Sequence, residues 1–193
     1  MQLDIAFLID ASNSVGTHFK TEKEFIKSII HHTGLSREGV HAGVITFSYS
    51  TTLNMQLDTT YDMGVFNATL NGIPLEGSQT MINKALELAG SKMFTKDKIA
   101  DVKGDRKGVP DMIVLITDGS QTPGGRDPVD VGKELRARGI SVLVVGIGFQ
   151  TYKPELDDIA GDPSNVEVID DYEDLTNNKV IDGLAKKICE KRK

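Results

Sequence analysis

Two kinds of apolar pattern alternate along almost the whole chain. Leu3 to Ile9 is apolar throughout except for Asp4. A strand with one wet face would alternate, so this run predicts a strand covered on both faces. From Gly16 to about Thr33 the pattern changes to Phe19, Lys23, Phe25, Ile26, Ile29 and Ile30, a helical spacing. Val40 to Phe47 is β-branched and strand-like. Ser48-Tyr49-Ser50 is turn-like, and Thr51 to Gln56 then alternates. That pair predicts a hairpin whose second member is an antiparallel edge strand. Tyr61 to Leu70 and Ile82 to Met93 predict helices, and the polar, charged stretch 95–111 predicts a surface loop.

The second half repeats the alternation. Met112 to Ile116 is a buried strand. Asp127-Pro128 starts a helix, with a capping carboxylate and a proline at the first position, and Gly139 ends it. Ile140 to Val145 is a further buried strand, closed by Gly146-Ile147-Gly148. A short helix at Pro154 to Ala160, a short strand at Val166 to Ile169 and a helix from Leu175 to about Lys191 complete the chain. Lys186, Lys187, Lys191 and Arg192 suit the negative end of that last helix. The order βαββααβαβαβα predicts one α/β domain. Its sheet is doubly wound, mostly parallel and six-stranded, with one antiparallel edge strand and helices on both faces.

Composition narrows the function. The 193 residues suit one domain, with 39% apolar and 26% charged residues as in soluble globular proteins. The net charge of -6 offers no basic field to a nucleic acid. No apolar run approaches the roughly 18 residues that span a bilayer. Met1-Gln2 leads straight into the first strand, so we expect no signal peptide here and a module excised from a larger protein. Cys189 is the single cysteine, either a partly buried thiol on the last helix or half of a terminal disulfide. Asn67-Ala68-Thr69 is a glycosylation sequon of a kind common by chance.

Five oxygen-bearing side chains change the picture most. Asp10, Ser12 and Ser14 follow the first buried strand, Thr80 precedes a helix, and Asp118 follows the strand ending at Ile116. Ligands in open α/β sheets bind beyond the carboxyl ends of the strands, where strand order reverses. If the two strands are central neighbours, these loops face each other and Thr80 closes a third side. Carboxylates and hydroxyls without His or Cys suit a hard cation, Mg²⁺ or Mn²⁺. Three neutral hydroxyls leave the ion electrophilic, ready for an acidic side chain from another protein. Each piece alone also fits an ordinary helix cap or turn; their joint occurrence at the correct edges argues for a site.

Asp10-x-Ser12-x-Ser14, Thr80 and Thr117-Asp118-Gly119 together resemble the metal-ion-dependent adhesion site of von Willebrand factor type A domains, also called integrin inserted domains. The resemblance runs from Leu3 to about Cys189 and includes Val40 to Ser48, Val142 to Gly148 and Leu184 to Cys189. It looks most like the modules of matrix proteins such as non-fibrillar collagens and matrilins. The resemblance implies metal bonds from Ser12, Ser14 and Thr80, with Asp10 and Asp118 binding directly or through water. It also implies a ligand carboxylate in the sixth place, a shift of the last helix in some relatives, and a secreted, matrix-bound setting. Collagen, another matrix protein and self-association are the candidate partners. Asn13 departs from a common Gly and Ile82 from a frequent Thr; Asn tolerates left-handed backbone, so metal binding should survive.

Three rivals are weighed against this reading. An enzyme would need a base or nucleophile, and His18, His31, His32 and His41 are expected to be scattered, surface or half-buried residues. No P-loop is present, and Gly146-x-Gly148 lacks the third glycine of a dinucleotide site. We therefore expect no catalysis. The other two rivals are a matrix-assembly module binding without metal and an intracellular relative.

Overall fold

The computed structural model describes residues 2–94 and 104–190. Six strands form one sheet: β1 Leu3–Asp10, β2 Val40–Phe47, β3 Thr51–Met55, β4 Asp111–Thr117, β5 Ser141–Ile147 and β6 Val166–Ile169. Their order across the sheet is β3-β2-β1-β4-β5-β6. Every neighbouring pair is parallel except β2 with β3, which forms the expected antiparallel edge. Strand order reverses between β1 and β4, so the two strands that carry Asp10 and Asp118 are central neighbours.

The apolar runs are buried on both faces because successive side chains go to opposite layers. Leu3, Ile5, Phe7 and Ile9 join Met112, Val114 and Ile116 in a core with Phe25, Ile29, Phe66 and Ile181. Ala6, Leu8, Ile113 and Leu115 join the opposite core with Ile82, Leu86, Leu135 and Ile159. The helices supplying the first layer include α1 Phe19–Thr33, α2 Met63–Gly72 and α6 Asn178–Glu190. Those supplying the second are α3 Ile82–Leu88, α4 Pro128–Ala137 and α5 Lys153–Ala160. Asp62 and Asp127 cap α2 and α4 by accepting from Val65 and Val129 backbone N–H groups. Among the described residues no helix is long and apolar enough to cross a membrane.

Three segments depart from the sequence expectation. The helix predicted over Ile82 to Met93 is α-helical only to Leu88 and continues as a π-helix over Ala89–Met93. Gly90 lets α4 approach: a Cβ there would lie 2.6 Å from Leu135 Cδ2. Arg138 of the following turn donates to the carbonyls of Gly90 and Phe94, satisfying backbone that the wider turn leaves open. The helix predicted from Leu175 is split, with a 3-10 turn over Tyr172–Thr176 before α6. The first helix likewise opens with a 3-10 turn over Gly16–His18. The part of the predicted loop over 95–103, and Lys191 and Arg192, lie outside the described residues.

The amino end of the sheet carries its own polar cluster. Asp4 is fully buried in β1, and Arg106 binds both its carboxylate oxygens, through Nε at 2.9 Å, Nη2 at 2.7 Å and the backbone N–H at 2.7 Å. His41 was expected to be a surface or half-buried residue, but it is 4% exposed. Its two ring nitrogens face the carbonyls of Gly104 and Arg37, at 3.0 and 2.9 Å. These bonds make burial tolerable for an imidazole. Carboxylate oxygens of Asp4, Asp105 and Asp111 lie within 4.8 Å of one another here. The guanidinium of Arg106 already supplies this group with a cation.

Candidate metal centre

Parallel pairing of β1 with β4 sets Ile9 opposite Ile116, which brings Asp10 level with Thr117. The Thr117 hydroxyl donates to Asp10 Oδ2 at 2.6 Å and accepts from the Gly119 N–H at 3.3 Å. The chain then turns on Asp10 itself, whose Oδ1 accepts from the Ser12 N–H at 2.9 Å. That turn aims both serines at the β4 loop. Ser14 Oγ donates to Asp118 Oδ1 at 2.7 Å and lies 3.0 Å from Ser12 Oγ. Because Ser14 spends its proton on Asp118, Ser12 is the donor between the two serines.

Thr80 arrives from the other side on the irregular segment between α2 and α3. Thr80 and Thr122 exchange two bonds, Thr80 N–H to Thr122 Oγ1 at 3.2 Å and Thr122 N–H to Thr80 O at 2.8 Å. These fix Thr80 beside the β4 loop: a Cβ on Gly119 would stand 3.6 Å from Thr80 Oγ1. Gln121 ties the same loop to α3, whose first residue gets no cap from Met81. Gln121 Oε1 accepts from the Asn83 N–H at 3.0 Å in its place. The five oxygen-bearing residues singled out in the sequence therefore lie around the carboxyl ends of β1 and β4. Asp10, Ser12, Thr80 and Asp118 are buried, and Ser14 is exposed.

The two departures from the resembling pattern have structural answers. Asn13 does not use left-handed backbone; among the described non-glycine residues only Ser78 has a positive φ, at 81°. The Asn13 N–H donates to Ser78 O at 3.0 Å, and Gly77, at φ 77°, makes room for the Asn13 side chain. A Cβ on Gly77 would lie 2.7 Å from Asn13 Oδ1. Ile82 is fully buried in the core under α3, where a hydroxyl would need a partner.

Sequence reasoning missed Glu22. It sits three residues after Phe19 and four before Ile26, hence on the apolar stripe of α1, and it is fully buried. Its position on that stripe was the available signal; its charged neighbours Lys23 and Glu24 disguised it as solvated. The Tyr172 hydroxyl donates to Glu22 Oε1 at 3.5 Å, while Oε2 has no partner. Burial raises the Glu22 carboxyl well above the usual range, and the charges of Asp10 and Asp118 raise it further. Burial also pushes Asp10 up to about 6, against the lowering effect of the Thr117 and Ser12 bonds. Tyr172 is raised by burial and then by Glu22 and Asp118.

This is the electrostatic test of whether a cation fits. Three carboxyl groups share one enclosed region, where Asp118 raises both Asp10 and Glu22 and Asp10 raises Glu22, and among the described residues no lysine or arginine pairs with any of them. Glu22 Oε2, buried without a hydrogen-bond partner, belongs to the same region. Such an arrangement is costly unless positive charge enters. The oxygen-only donor set selects a hard ion. Asp10, Ser12, Ser14, Thr80 and Asp118 are the groups that could hold such an ion.

A pH prediction follows from Asp10. Its carboxyl titrates near 3.8 in the unfolded chain and at about 6 in the metal-free fold. The native state thus holds an extra proton between these values, so this group's contribution to stability falls as pH rises from about 4 through about 6. Thermal melts of metal-free Asp10→Asn should show a shallower decline over that range than the parent, with the part due to Glu22 remaining. A slope equal to the parent's would assign the shift elsewhere.

Beside Ser14 the surface opens into a groove of about 340 Å³, lined by His18, Asp118, Phe149, Asp171 and Tyr172 among others. The rings of His18 and Tyr172 stack at 4.3 Å on one wall. Phe149 stands on the rim with 95% of its surface in solvent. Tyr49 and Tyr152, on the loops after β2 and β5, are also exposed at this end.

Comparison with known proteins agrees with this fold. The family model of the von Willebrand factor type A domain matches residues 4–179. The collagen alpha-6(VI) chain of Mus musculus is 30% identical over the whole of this chain, which spans 8% of that protein. The von Willebrand factor A domain-containing protein 2 of Homo sapiens is 28% identical over 97% of this chain and 24% of its own length. This chain is thus a small part of the length of such relatives. Among solved structures, proximal thread matrix protein 1 from the mussel byssus superposes with a TM-score of 0.84 at 24% identity, covering 97% of this chain and 46% of that one. A further structure of the same mussel protein, also at 0.84 and 24%, is described as having a zinc-occupied MIDAS motif and covers 99% of this chain and 48% of its own.

Proposed function

We propose, from the premise that this chain belongs to the von Willebrand factor type A domain family, that it is an extracellular matrix module that binds a protein partner through one divalent cation. Ser12, Ser14 and Thr80 contribute hydroxyl oxygens, and Asp10 and Asp118 bind directly or through water. The cation, Mg²⁺ or Mn²⁺, supplies an electrophilic point on which a partner's carboxylate docks. The observation that carries this reading is a buried acid cluster, unpaired with any described lysine or arginine, that opens to solvent at Ser14 in a groove rimmed by exposed Phe149. An exposed aromatic beside a polar centre is what a docking surface needs. Matrix collagens among the relatives, and the zinc reported at the motif in the mussel protein, support the setting and the chemistry.

We read the site as one for binding and not for turnover. His31 and His32 lie toward the far end of α1, and His41 is held at the amino end of the sheet. His18 does line the groove, but its ring is stacked on Tyr172. The candidate partners are matrix proteins, collagen among them, and further copies of this chain.

The partner test is a surface-binding assay on immobilised collagens and on the chain itself, in Mg²⁺ and then in chelator. We expect binding that chelator abolishes and that Ser14→Ala weakens. Binding that persists unchanged in chelator would favour a metal-independent assembly module.

A further inference from the structure

Glu76 is exposed at the surface, yet its carboxylate collects hydroxyl groups from both strands of the neighbouring hairpin. Oε1 accepts from Thr52 at 2.8 Å and from Thr46 at 3.5 Å. Oε2 accepts from Ser48 and Ser50, each at 3.1 Å. A carboxylate offers about four lone-pair directions, so these donors saturate it. Asn54 adds a link by donating to Thr46 Oγ1 at 2.8 Å. Four separate hydroxyls converging on one solvent-side acid are not needed to fold a hairpin, whose main chain is already paired.

The position of Glu76 gives the arrangement its meaning. It belongs to the segment between Ile73 and Met81, which has no helix or strand of its own and delivers Thr80 to the acid cluster. That segment carries the positive φ values of Gly77 and Ser78. Its main chain is tied to β1 and its loop through Gly77 N–H to Ala11 O at 2.8 Å and Asn13 N–H to Ser78 O at 3.0 Å. On the hairpin side, Met81 N–H donates to Ser48 O at 3.2 Å. The Glu76 carboxylate is the side-chain half of the same hairpin tie.

We propose that Glu76 is a positioning residue for the cation site: by gathering Thr46, Ser48, Ser50 and Thr52 it locks the Thr80 segment to the β2–β3 hairpin and so presets the Thr80 hydroxyl for metal. This deepens the function proposed above and rests on it. Groups that orient a ligand without touching the ion commonly change metal affinity by about tenfold or more. Ser50 and Thr52 are exposed, so the donors can be removed without opening the core.

The experiment measures Mn²⁺ dissociation constants by titration calorimetry on metal-stripped parent, Glu76→Gln and the double variant Ser50→Ala with Thr52→Val, with the melting temperature of each metal-free protein alongside. The double variant keeps the Glu76 charge and removes half its donors. We expect both variants to bind Mn²⁺ several-fold to tenfold more weakly than the parent while their metal-free melting temperatures stay close to it. Parent-like affinity in both would overturn the inference and leave the metal site standing. Weakening in Glu76→Gln alone would also overturn it, because charge and not the tie would then be responsible. A parent that binds no Mn²⁺ would overturn the metal site and this inference with it.

Discussion

Asp118→Ala is expected to abolish the thermal stabilisation that Mg²⁺ gives the parent. An ion bound at about a hundred times its dissociation constant stabilises a fold by about 2.7 kcal/mol. For a domain of this size that corresponds to a rise in melting temperature of roughly 5–10 °C. Asp118 is the acid at the end of β4, and its Oδ1 also holds Ser14 in place. Its loss removes a charged donor and releases a neutral one, so affinity should fall by roughly a hundredfold or more, beyond what an outer partner contributes. The metal-free variant should stay within about 1 kcal/mol of the parent. It loses the Ser14 bond, but a negative charge that raises both Asp10 and Glu22 goes with it. Melts with and without Mg²⁺ read both quantities. A variant stabilised by Mg²⁺ as much as the parent would remove Asp118 from the site.

Arg106→Ala is expected to do the opposite, costing stability and sparing the metal. Asp4 is fully buried and both its oxygens are engaged by Arg106, with His41 3.7 Å away as the other basic group. Deleting one partner of a buried pair costs about 3–5 kcal/mol, since the remaining charge stays enclosed. Arg106 Nη2 also serves the carbonyls of Leu3 and Gly39, so the amino ends of β1 and β2 loosen together. The melting temperature should fall by roughly 10 °C or more. Mn²⁺ affinity, measured where the variant is still folded, should match the parent because the cluster lies at the opposite end of the sheet. A fall of under about 1 kcal/mol, the value of an exposed pair, would show that Asp4 does not depend on Arg106.

The contrast between these two variants bears on what the sequence could show. The parallel core was legible because strands buried on both faces leave nearly unbroken apolar runs, as in Leu3 to Ile9 and Met112 to Ile116. The alternation with helices left few strand orders, and the juxtaposition of the Asp10 and Asp118 loops was conditional on β1 and β4 being central neighbours, which the structure shows. The five oxygens were visible because each sits at an element edge. What stayed hidden was everything defined by side-chain partners far apart in the chain. Glu22 looked like one of a run of charges, and only packing shows that it faces the core behind Asp10. His41 looked like a surface or half-buried residue, since nothing local announces the carbonyls of Arg37 and Gly104 that receive its ring. Glu76 drew no attention because its four hydroxyl donors come from a hairpin more than twenty residues earlier. The π-turn after Leu88 depends on Arg138 and on the close approach of Leu135, neither of which leaves a periodic trace.

The same partition explains why the site reads as a place for capture. Its inner wall is rigid: Asp10 is held by Thr117 and Ser12, and Thr80 by Thr122. Its outer edge is open at Ser14 and bordered by Phe149. A preorganised, acid-rich floor with one solvent side suits an ion that keeps a free coordination position for a partner.

The central claim is that the acid cluster at the β1/β4 crevice holds one hard cation. Titration calorimetry of the metal-stripped chain with Mn²⁺, at a pH above the range in which Asp10 titrates, tests it most directly. The account predicts saturable binding of one ion per chain, weakening as the pH is lowered toward about 5 and Asp10 takes up its proton. A flat titration at every pH, in protein shown to be folded by circular dichroism, would contradict it.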